Sequence, residues 1–365
     1  MQHIILQIRE RFYNIATTAQ EIIFTQYNNM SFLSQKTNLV WIGLASVAGG
    51  AIGYFSGNLS QDSDAVNFNK GEQKVKMTEL RSGGFKYINP LLECDNYEPV
   101  ASTSIAILRN ELVSYSEGIK SEGKASHISI YYRDLNNGPW IGIDERANYS
   151  PASLLKVPVM LAALKKAEDD PSFLKKKFLF DRHLDDVSPN ILDSGLVQMG
   201  KSYTVEELLF KMIAYSDNDA KNLILINLPP NSIEKTLVDV GLAVPDMANQ
   251  VDIMSVKDYS SFFRILFNAT YLSRTMSEKA LQILASADFR KGIVAGVPKG
   301  IVVAHKFGER AFADNNVKQL HDCGIVYSPS GPYLVCVMTR GTDYDVLDDV
   351  IAGASGIIYK NLNPQ

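Results

Sequence analysis

Ser153 and Lys156 stand three residues apart, where a small-residue turn enters the apolar, helix-forming run 157–164. On a helix this spacing places both side chains on one face. A serine hydroxyl is a weak nucleophile until a base takes its proton, and a lysine can do so when burial or nearby cations keep it neutral. The unpaired backbone N–H groups of a helix start also favour developing negative charge. The pair is a candidate for acyl transfer, although alone it also fits a helix cap beside a solvated lysine.

Two later segments could complete such a site. Acyl transfer needs a proton relay, an oxyanion site and a substrate anchor in addition to a nucleophile and a base. Residues 216–218 read Ser-Asp-Asn, and residues 306–308 read Lys-Phe-Gly. The first of these segments, taken alone, would be interpreted as a loop cap. Its linkage in order to Ser153 and Lys306 favours a common catalytic site.

This ordered set resembles the class A β-lactamase-like, penicillin-recognising serine hydrolases. That family carries Ser-x-x-Lys, Ser-Asp-Asn and Lys-Thr-Gly in the same order. The first two motifs match fully, and residues 204–208 and 296–300 also look like the segments that precede the later motifs in the family. The resemblance covers about residues 100–362. It implies a two-lobed fold with the active site at the seam between the lobes.

The resemblance also implies catalytic roles, motif by motif. Ser153 would form the acyl-enzyme, and Lys156 would help take its proton. Ser216 would relay a proton toward the leaving nitrogen, while Lys306 would supply positive charge near Ser216 and the substrate carboxylate. Asn218 would hydrogen-bond the substrate's amide side chain and brace Lys156.

Substrate binding would continue along the third motif through Phe307, Gly308 and Glu309. Backbone N–H groups of Ser153 and Glu309 would form the oxyanion hole. Asp217 is expected to have a structural role, bonding nearby backbone.

The sequence departs from the family pattern in two places. Phe307 replaces the family's threonine, so binding of a substrate carboxylate should weaken unless Ser, Thr or Arg groups nearby substitute. The family's Glu-x-x-Leu-Asn glutamate, which activates the deacylating water, has no counterpart between Asn218 and Lys306. Asp246 or Asp252 could approach the site, although each is more often a turn or cap residue.

The apolar pattern predicts an α+β fold, in which an antiparallel sheet is flanked by terminal helices and joined by an all-helical lobe. The predicted terminal helices are residues 102–115 and 346–361, and residues 153–287 form the predicted helical lobe. The predicted strands are residues 128–132, 140–143, 302–306, 324–327 and 333–338.

One transmembrane helix is expected before this domain. Residues 38–56 are largely apolar and lie in a stretch without charged residues. The positive-inside rule places the amphipathic segment 1–37 in the cytoplasm and the catalytic domain, residues 86–365, on the periplasmic or extracellular side, after a linker at residues 57–85. The alternatives are a buried core helix and a signal peptide cleaved near residues 46–48. Small residues spaced four apart would also allow two such helices to pair in a homo-oligomer.

Composition excludes several other classes. A net charge of −4 and a pI near 5.8 give no reason to expect nucleic acid. The three cysteines and five histidines show no metal-ligand spacing, so neither a metal nor another cofactor is expected. Cys323 and Cys336 lie symmetrically about the turn at residues 328–332, which is consistent with a cross-strand disulfide or with two buried thiols.

Three functions remain open from the sequence. The leading hypothesis is a membrane-anchored DD-peptidase that cleaves peptidoglycan-type peptides ending in D-alanine. The second is a β-lactamase that hydrolyses β-lactam antibiotics with a substituted deacylation base. The third is a catalytically degenerate domain that binds cell-wall fragments or a partner protein, to which Phe307 and the missing glutamate would point.

Overall fold

The structure is a computed structural model, and it describes residues 79–81, 83–94, 103–136, 138–183, 195–245, 251–312 and 314–364. The predicted cytoplasmic segment 1–37, the predicted transmembrane helix 38–56 and most of the predicted linker lie outside the described residues. Among the described helices, none has the length and apolar character needed to cross a membrane.

The strands are β1 (Glu79–Arg81), β2 (Leu91–Cys94), β3 (His127–Asp134), β4 (Trp140–Ile143), β5 (Asn148–Tyr149), β6 (Lys177–Leu179), β7 (Ser202–Thr204), β8 (Met254–Ser255), β9 (Val302–Ala311), β10 (Lys318–Ser328) and β11 (Gly331–Gly341). The α-helices are α1 (Thr103–Ser121), α2 (Lys156–Asp169), α3 (Val205–Ala214), α4 (Asn218–Leu225), α5 (Ser232–Asp239), α6 (Val256–Asn268), α7 (Arg274–Leu284) and α8 (Tyr344–Leu362). Short 3₁₀ helices span Ala152–Leu155, Phe173–Lys175 and Val294–Gly296.

Five strands form one antiparallel sheet in the order β4-β3-β11-β10-β9. Strand β9, which carries the third motif, is therefore an edge strand of this sheet. Its neighbour β10 pairs with it over ten residues, from Lys318 opposite Ala311 to Tyr327 opposite Val302. The motif is thus held on one side by a long ladder.

Each face of the sheet packs into its own hydrophobic cluster because side chains alternate along a strand. On one face, Leu320 of β10 and Val337 of β11 pack with residues of α1 and α8 such as Leu112 and Ile351. On the other face, Ile325 and Met338 belong to a larger cluster that includes the helices between β5 and β9. The predicted α+β architecture, with terminal helices on the sheet, is confirmed.

The predicted all-helical lobe also contains short ladders. Strand β6 pairs with β7 over three residues, and β8 pairs over two residues with β5, which precedes the predicted lobe. These ladders bond the backbone of the connections that enter the helices. Strand β7 leads directly into α3, where Thr204 and Glu207 form a capping box.

The turn at the β10–β11 hairpin brings the two predicted partner cysteines together. Cys323 lies directly opposite Cys336 in the strand register, and both side chains are fully buried. A disulfide joins them.

Candidate active site

The nucleophile candidate lies in a turn that leads into α2. Ser153 is in the 3₁₀ helix Ala152–Leu155, and α2 begins at Lys156. The continuous helical path places Lys156 Nζ 2.9 Å from Ser153 Oγ. The serine is half-buried, whereas the lysine side chain is buried. The hydroxyl is therefore partly accessible to a substrate while its basic neighbour is shielded from water.

Lys156 also reaches the second motif. Its Nζ lies 2.5 Å from the backbone oxygen and 3.0 Å from the Oγ of Ser216, and 2.7 Å from Oδ1 of Asn218. Asp217 holds this segment in place, because its carboxylate accepts backbone N–H bonds from Ala220 and Val197. The expected structural role of Asp217 agrees with these contacts.

Ser216 connects the two lysines. Lys306 Nζ donates to Ser216 Oγ at 3.0 Å and to the backbone oxygen of Phe307 at 2.8 Å. Ser216 lies in the left-handed backbone region, with φ of 54°. This conformation is uncommon for a serine and is found where the surrounding structure requires it. A hydrogen-bonded path therefore runs from Ser153 through Lys156 and Ser216 to Lys306.

Both lysines have lowered pKa values. Burial lowers the pKa of Lys156 well below its usual value, and the nearby charges of Lys306 and Lys221 lower it further. Burial also lowers the pKa of Lys306 to about 7, although Asp322 and Glu309 partly oppose this. Burial thus favours the neutral form of Lys156, which can accept a proton, and Lys306 can bind an anion when it is charged.

The Phe307 ring lies in the protein interior. It stacks on Phe289 with ring centroids 4.0 Å apart, and Lys306 Nζ lies 4.0 Å from its centroid. Its side chain is only 1% exposed. The ring therefore packs beside the lysine and offers little surface to a substrate.

Gly308 allows β9 to pass close to the nucleophile turn. A Cβ atom at this position would lie 2.9 Å from the backbone oxygen of Pro151 and 3.0 Å from the backbone nitrogen of Leu154. The next residue, Glu309, is half-buried, and burial followed by Asp348 raises the pKa of its carboxyl. The close approach brings the backbone of β9 beside that of Ser153.

Of the two aspartates considered as replacements for the missing glutamate, the structure describes only Asp252. Asp252 accepts hydrogen bonds from Gln319 Nε2 at 3.0 Å and Arg340 Nη2 at 2.8 Å. Asp246 lies outside the described residues. Within the part of the chain that the structure describes, no carboxylate hydrogen-bonds to Ser153, Lys156 or Ser216.

Sequence reasoning did not identify Gln319, His321 and Tyr259, which bond the nucleophile turn.

Comparisons with known proteins agree with this fold and with the motifs. The sequence profile of the beta-lactamase enzyme family matches residues 111–362. A beta-lactamase of Bacillus licheniformis is 30% identical over 241 residues, covering 60% of this chain and 73% of that protein. The chain belongs to the beta-lactamase enzyme family. It is a serine hydrolase of the β-lactamase type.

Solved structures give the same fold. TLA-3 extended-spectrum beta-lactamase superposes with a TM-score of 0.62 at 17% identity, covering 70% of this chain and 98% of that one. A point mutant of PBP-A, in an acyl-enzyme complex with penicillin G, gives a TM-score of 0.58 at 21% identity, covering 69% of this chain and 95% of that one. At these identities the likeness is evidence of fold alone.

Proposed function

We propose that this protein is a penicillin-binding DD-peptidase that acts on cell-wall peptides through an acyl-enzyme at Ser153. The observation that carries the proposal is the hydrogen-bonded path Ser153–Lys156–Ser216–Lys306. It combines a partly accessible hydroxyl with a buried base of lowered pKa. Slow release of the acyl group is proposed from the sequence, which has no Glu-x-x-Leu-Asn pattern between Asn218 and Lys306.

The proposed reaction has two halves. Neutral Lys156 takes the proton of Ser153 as Oγ forms a bond to the substrate carbonyl carbon, and the backbone N–H groups of Ser153 and Glu309 stabilise the oxyanion. The carbonyl–nitrogen bond then breaks, and Ser216 delivers its hydroxyl proton to the departing D-alanine nitrogen while it takes from Lys156 the proton that came from Ser153. Water later attacks the ester, which releases the peptide acid and restores the Ser153 hydroxyl. Lys306 binds the substrate carboxylate, and Asn218 binds an amide of the substrate.

The comparisons support a penicillin-reactive site and leave two enzyme roles to separate. A point mutant of PBP-A, which shares the fold, forms an acyl-enzyme with penicillin G. The Bacillus licheniformis and Streptomyces albus G relatives are beta-lactamases. Those relatives favour a second candidate function, hydrolysis of β-lactam antibiotics with a substituted deacylation base.

We also propose that the full chain is anchored in the cell membrane with its catalytic domain outside the cytoplasm. Support comes from the apolar, uncharged segment at residues 38–56 and from the basic residues before it. This location would bring the site to peptidoglycan-type substrates.

Intact-mass spectrometry of the full chain mixed with benzylpenicillin tests the acyl-enzyme, with Ser153→Ala as control. The expected result is a stable adduct on the wild type and none on the variant. A second assay measures D-alanine release from a peptide ending in D-Ala-D-Ala. Consumption of penicillin without an adduct would favour the β-lactamase function. If no adduct forms, no penicillin is consumed and no D-alanine is released, both enzyme functions are rejected in favour of a binding domain.

A further inference from the structure

The turn that carries Ser153 has a strained backbone. Ala152, the residue before the nucleophile, has φ of 46°, in the left-handed region that β-carbon-bearing residues rarely adopt. Such a conformation is unfavourable and persists only where surrounding contacts enforce it. Within the turn, the Leu154 N–H donates to the backbone oxygen of Pro151 at 2.9 Å, and the Lys156 N–H donates to the backbone oxygen of Ser153. The remaining constraint must come from outside the turn.

Buried side chains outside the turn bond its backbone: the Tyr259 hydroxyl donates to the Leu154 oxygen at 2.9 Å, and two side chains of β10 bind both backbone groups of Ser150. Gln319 Oε1 accepts the Ser150 N–H at 2.9 Å, and His321 Nε2 lies 3.0 Å from the Ser150 backbone oxygen. The two side chains are at most 1% exposed. Because a strand places alternate residues on one face, positions 319 and 321 face the turn together.

Both groups are themselves held in one orientation. Gln319 Nε2 donates to Asp252, whose other oxygen accepts from Arg340. The Thr339 backbone N–H donates to His321 Nδ1 at 3.3 Å, so the proton of the neutral ring is on Nε2 and can be donated to Ser150. Burial lowers the pKa of His321 to about 3, so the ring stays neutral at ordinary pH.

The same strand also positions the other half of the expected oxyanion hole. In the β9–β10 ladder, His321 lies opposite Gly308, Leu320 opposite Glu309, and Gln319 opposite Arg310. Strand β10 therefore fixes β9 through its backbone and the Ser153 turn through its side chains. The relative placement of the nucleophile and the backbone N–H of Glu309 depends on three consecutive residues.

We propose that Gln319 and His321 are positioning residues for acylation, which hold the strained turn so that Ser153 Oγ stays aligned with Lys156 and with the oxyanion site. This inference rests on the proposed acyl-enzyme function. Neither side chain touches the reacting atoms. Loss of either should slow the acylation step more than it weakens initial substrate binding, because misalignment of about 1 Å can cost on the order of 100-fold in rate.

The test compares His321→Leu and Gln319→Leu with the conservative His321→Gln in the full chain. Glutamine keeps a donor where the imidazole Nε2 lies, whereas leucine keeps none. Ser355→Ala is the matched control, since Ser355 Oγ donates to the Ile293 backbone oxygen in a buried site on α8. Rapid mixing with benzylpenicillin and intact-mass detection give the acylation rate constant k2 and the binding constant Ks. Hydrogen exchange is followed in peptides that cover residues 149–155.

Both leucine variants should lower k2 by roughly 10- to 100-fold with Ks nearly unchanged. His321→Gln should recover most of k2, and Ser355→Ala should leave k2 unaffected. Equal k2 in the leucine variants and the control, or a loss of k2 in step with thermal stability across all four variants, would overturn the proposal. If His321→Leu does not fold, Gln319→Leu and His321→Gln decide the outcome.

The exchange measurement separates this inference from the function on which it rests. A wild type that benzylpenicillin never acylates would reject the acyl-enzyme function. In that case faster exchange at residues 149–155 in the leucine variants alone would still support the positioning contacts. Unchanged exchange there would overturn them.

Discussion

At the residue scale, the two buried lysines predict a bell-shaped pH dependence of acylation. Lys156 must be neutral to accept the Ser153 proton, so k2/Ks should rise as pH increases through its lowered pKa. Lys306 must be charged to bind a carboxylate, so k2/Ks should fall as pH increases past about 7. The pH dependence of k2/Ks reports the pKa values of ionisable groups in the free enzyme. Benzylpenicillin acylation between pH 5 and 9.5, a range spanning roughly two pH units either side of the second pKa, measures it.

The Lys306→Arg variant tests which group causes the falling limb, the part of the pH profile in which k2/Ks decreases. Arginine keeps its charge across this range, so the descending limb should disappear while the ascending limb remains. Lys299→Arg, at an exposed lysine, should keep the wild-type profile. A descending limb that persists unchanged in Lys306→Arg would show that another group causes it.

Phe307 makes a second residue-scale prediction, on stability. Its ring stacks on Phe289 at 4.0 Å between centroids. Stacked aromatic pairs contribute about 1 kcal/mol beyond the area they bury. Phe307→Leu and Phe289→Leu should each lower the free energy of unfolding, and the double variant should lose about 1 kcal/mol less than their sum. Urea unfolding measures the cycle, and strictly additive losses would mean that the stack contributes no coupling.

At the element scale, α7 holds the segment that enters the domain. The Glu278 carboxylate accepts backbone N–H bonds from Lys86, Tyr87 and Ile88 at 2.9–3.1 Å. Tyr327 adds a bond from its hydroxyl to the Tyr87 backbone oxygen at 2.9 Å. The ladder of β1 with β2 flanks this segment, and β1 falls within the stretch for which the sequence predicts a linker. One carboxylate thus satisfies three consecutive backbone donors.

Glu278→Ala should therefore release the segment without altering the active site. Hydrogen bonds to a charged group contribute about 1.5–3 kcal/mol each, so trypsin cleavage after exposed Lys86 should quicken roughly tenfold or more. Acylation by benzylpenicillin should stay at the wild-type rate. Glu234→Ala, at an exposed glutamate of α5, is the control, and trypsin should cleave it no faster than the wild type. Equal cleavage rates in both variants would contradict this role for Glu278.

The limits of sequence reasoning also appear at this scale. Apolar alternation predicted the sheet strands, but it shortened β10, because polar His321 and Asp322 interrupt the pattern where buried partners satisfy them. Motif order predicted which side chains meet, since each motif carries its own chemistry. The contact between Gln319 and Ser150 spans 169 residues and depends on strand register. No local pattern encodes that register, so the support of the turn could not be foreseen.

At the scale of the whole molecule, the family match and the membrane prediction concern different parts of the chain. The beta-lactamase family profile begins at residue 111 and ends at residue 362. The apolar stretch 38–56 precedes it and contains none of the residues assigned to catalysis. If that stretch spans a membrane, it limits the substrates to those that lie within reach of the membrane surface.

The full chain is expected to sediment with membranes and to resist extraction with alkaline carbonate. Leu44→Arg with Val47→Arg would place two charges near the centre of the apolar stretch, each disfavouring insertion by about 3 kcal/mol. This double variant should become extractable. Ile226→Arg, at a side chain that is 62% exposed, should remain in the pellet. Release of the wild type would contradict the anchor, and a mature chain that begins just after residues 46–48 would identify a cleaved signal peptide instead. Protease added to intact spheroplasts should digest the catalytic domain if, as proposed, the basic residues before the stretch keep the amino terminus in the cytoplasm.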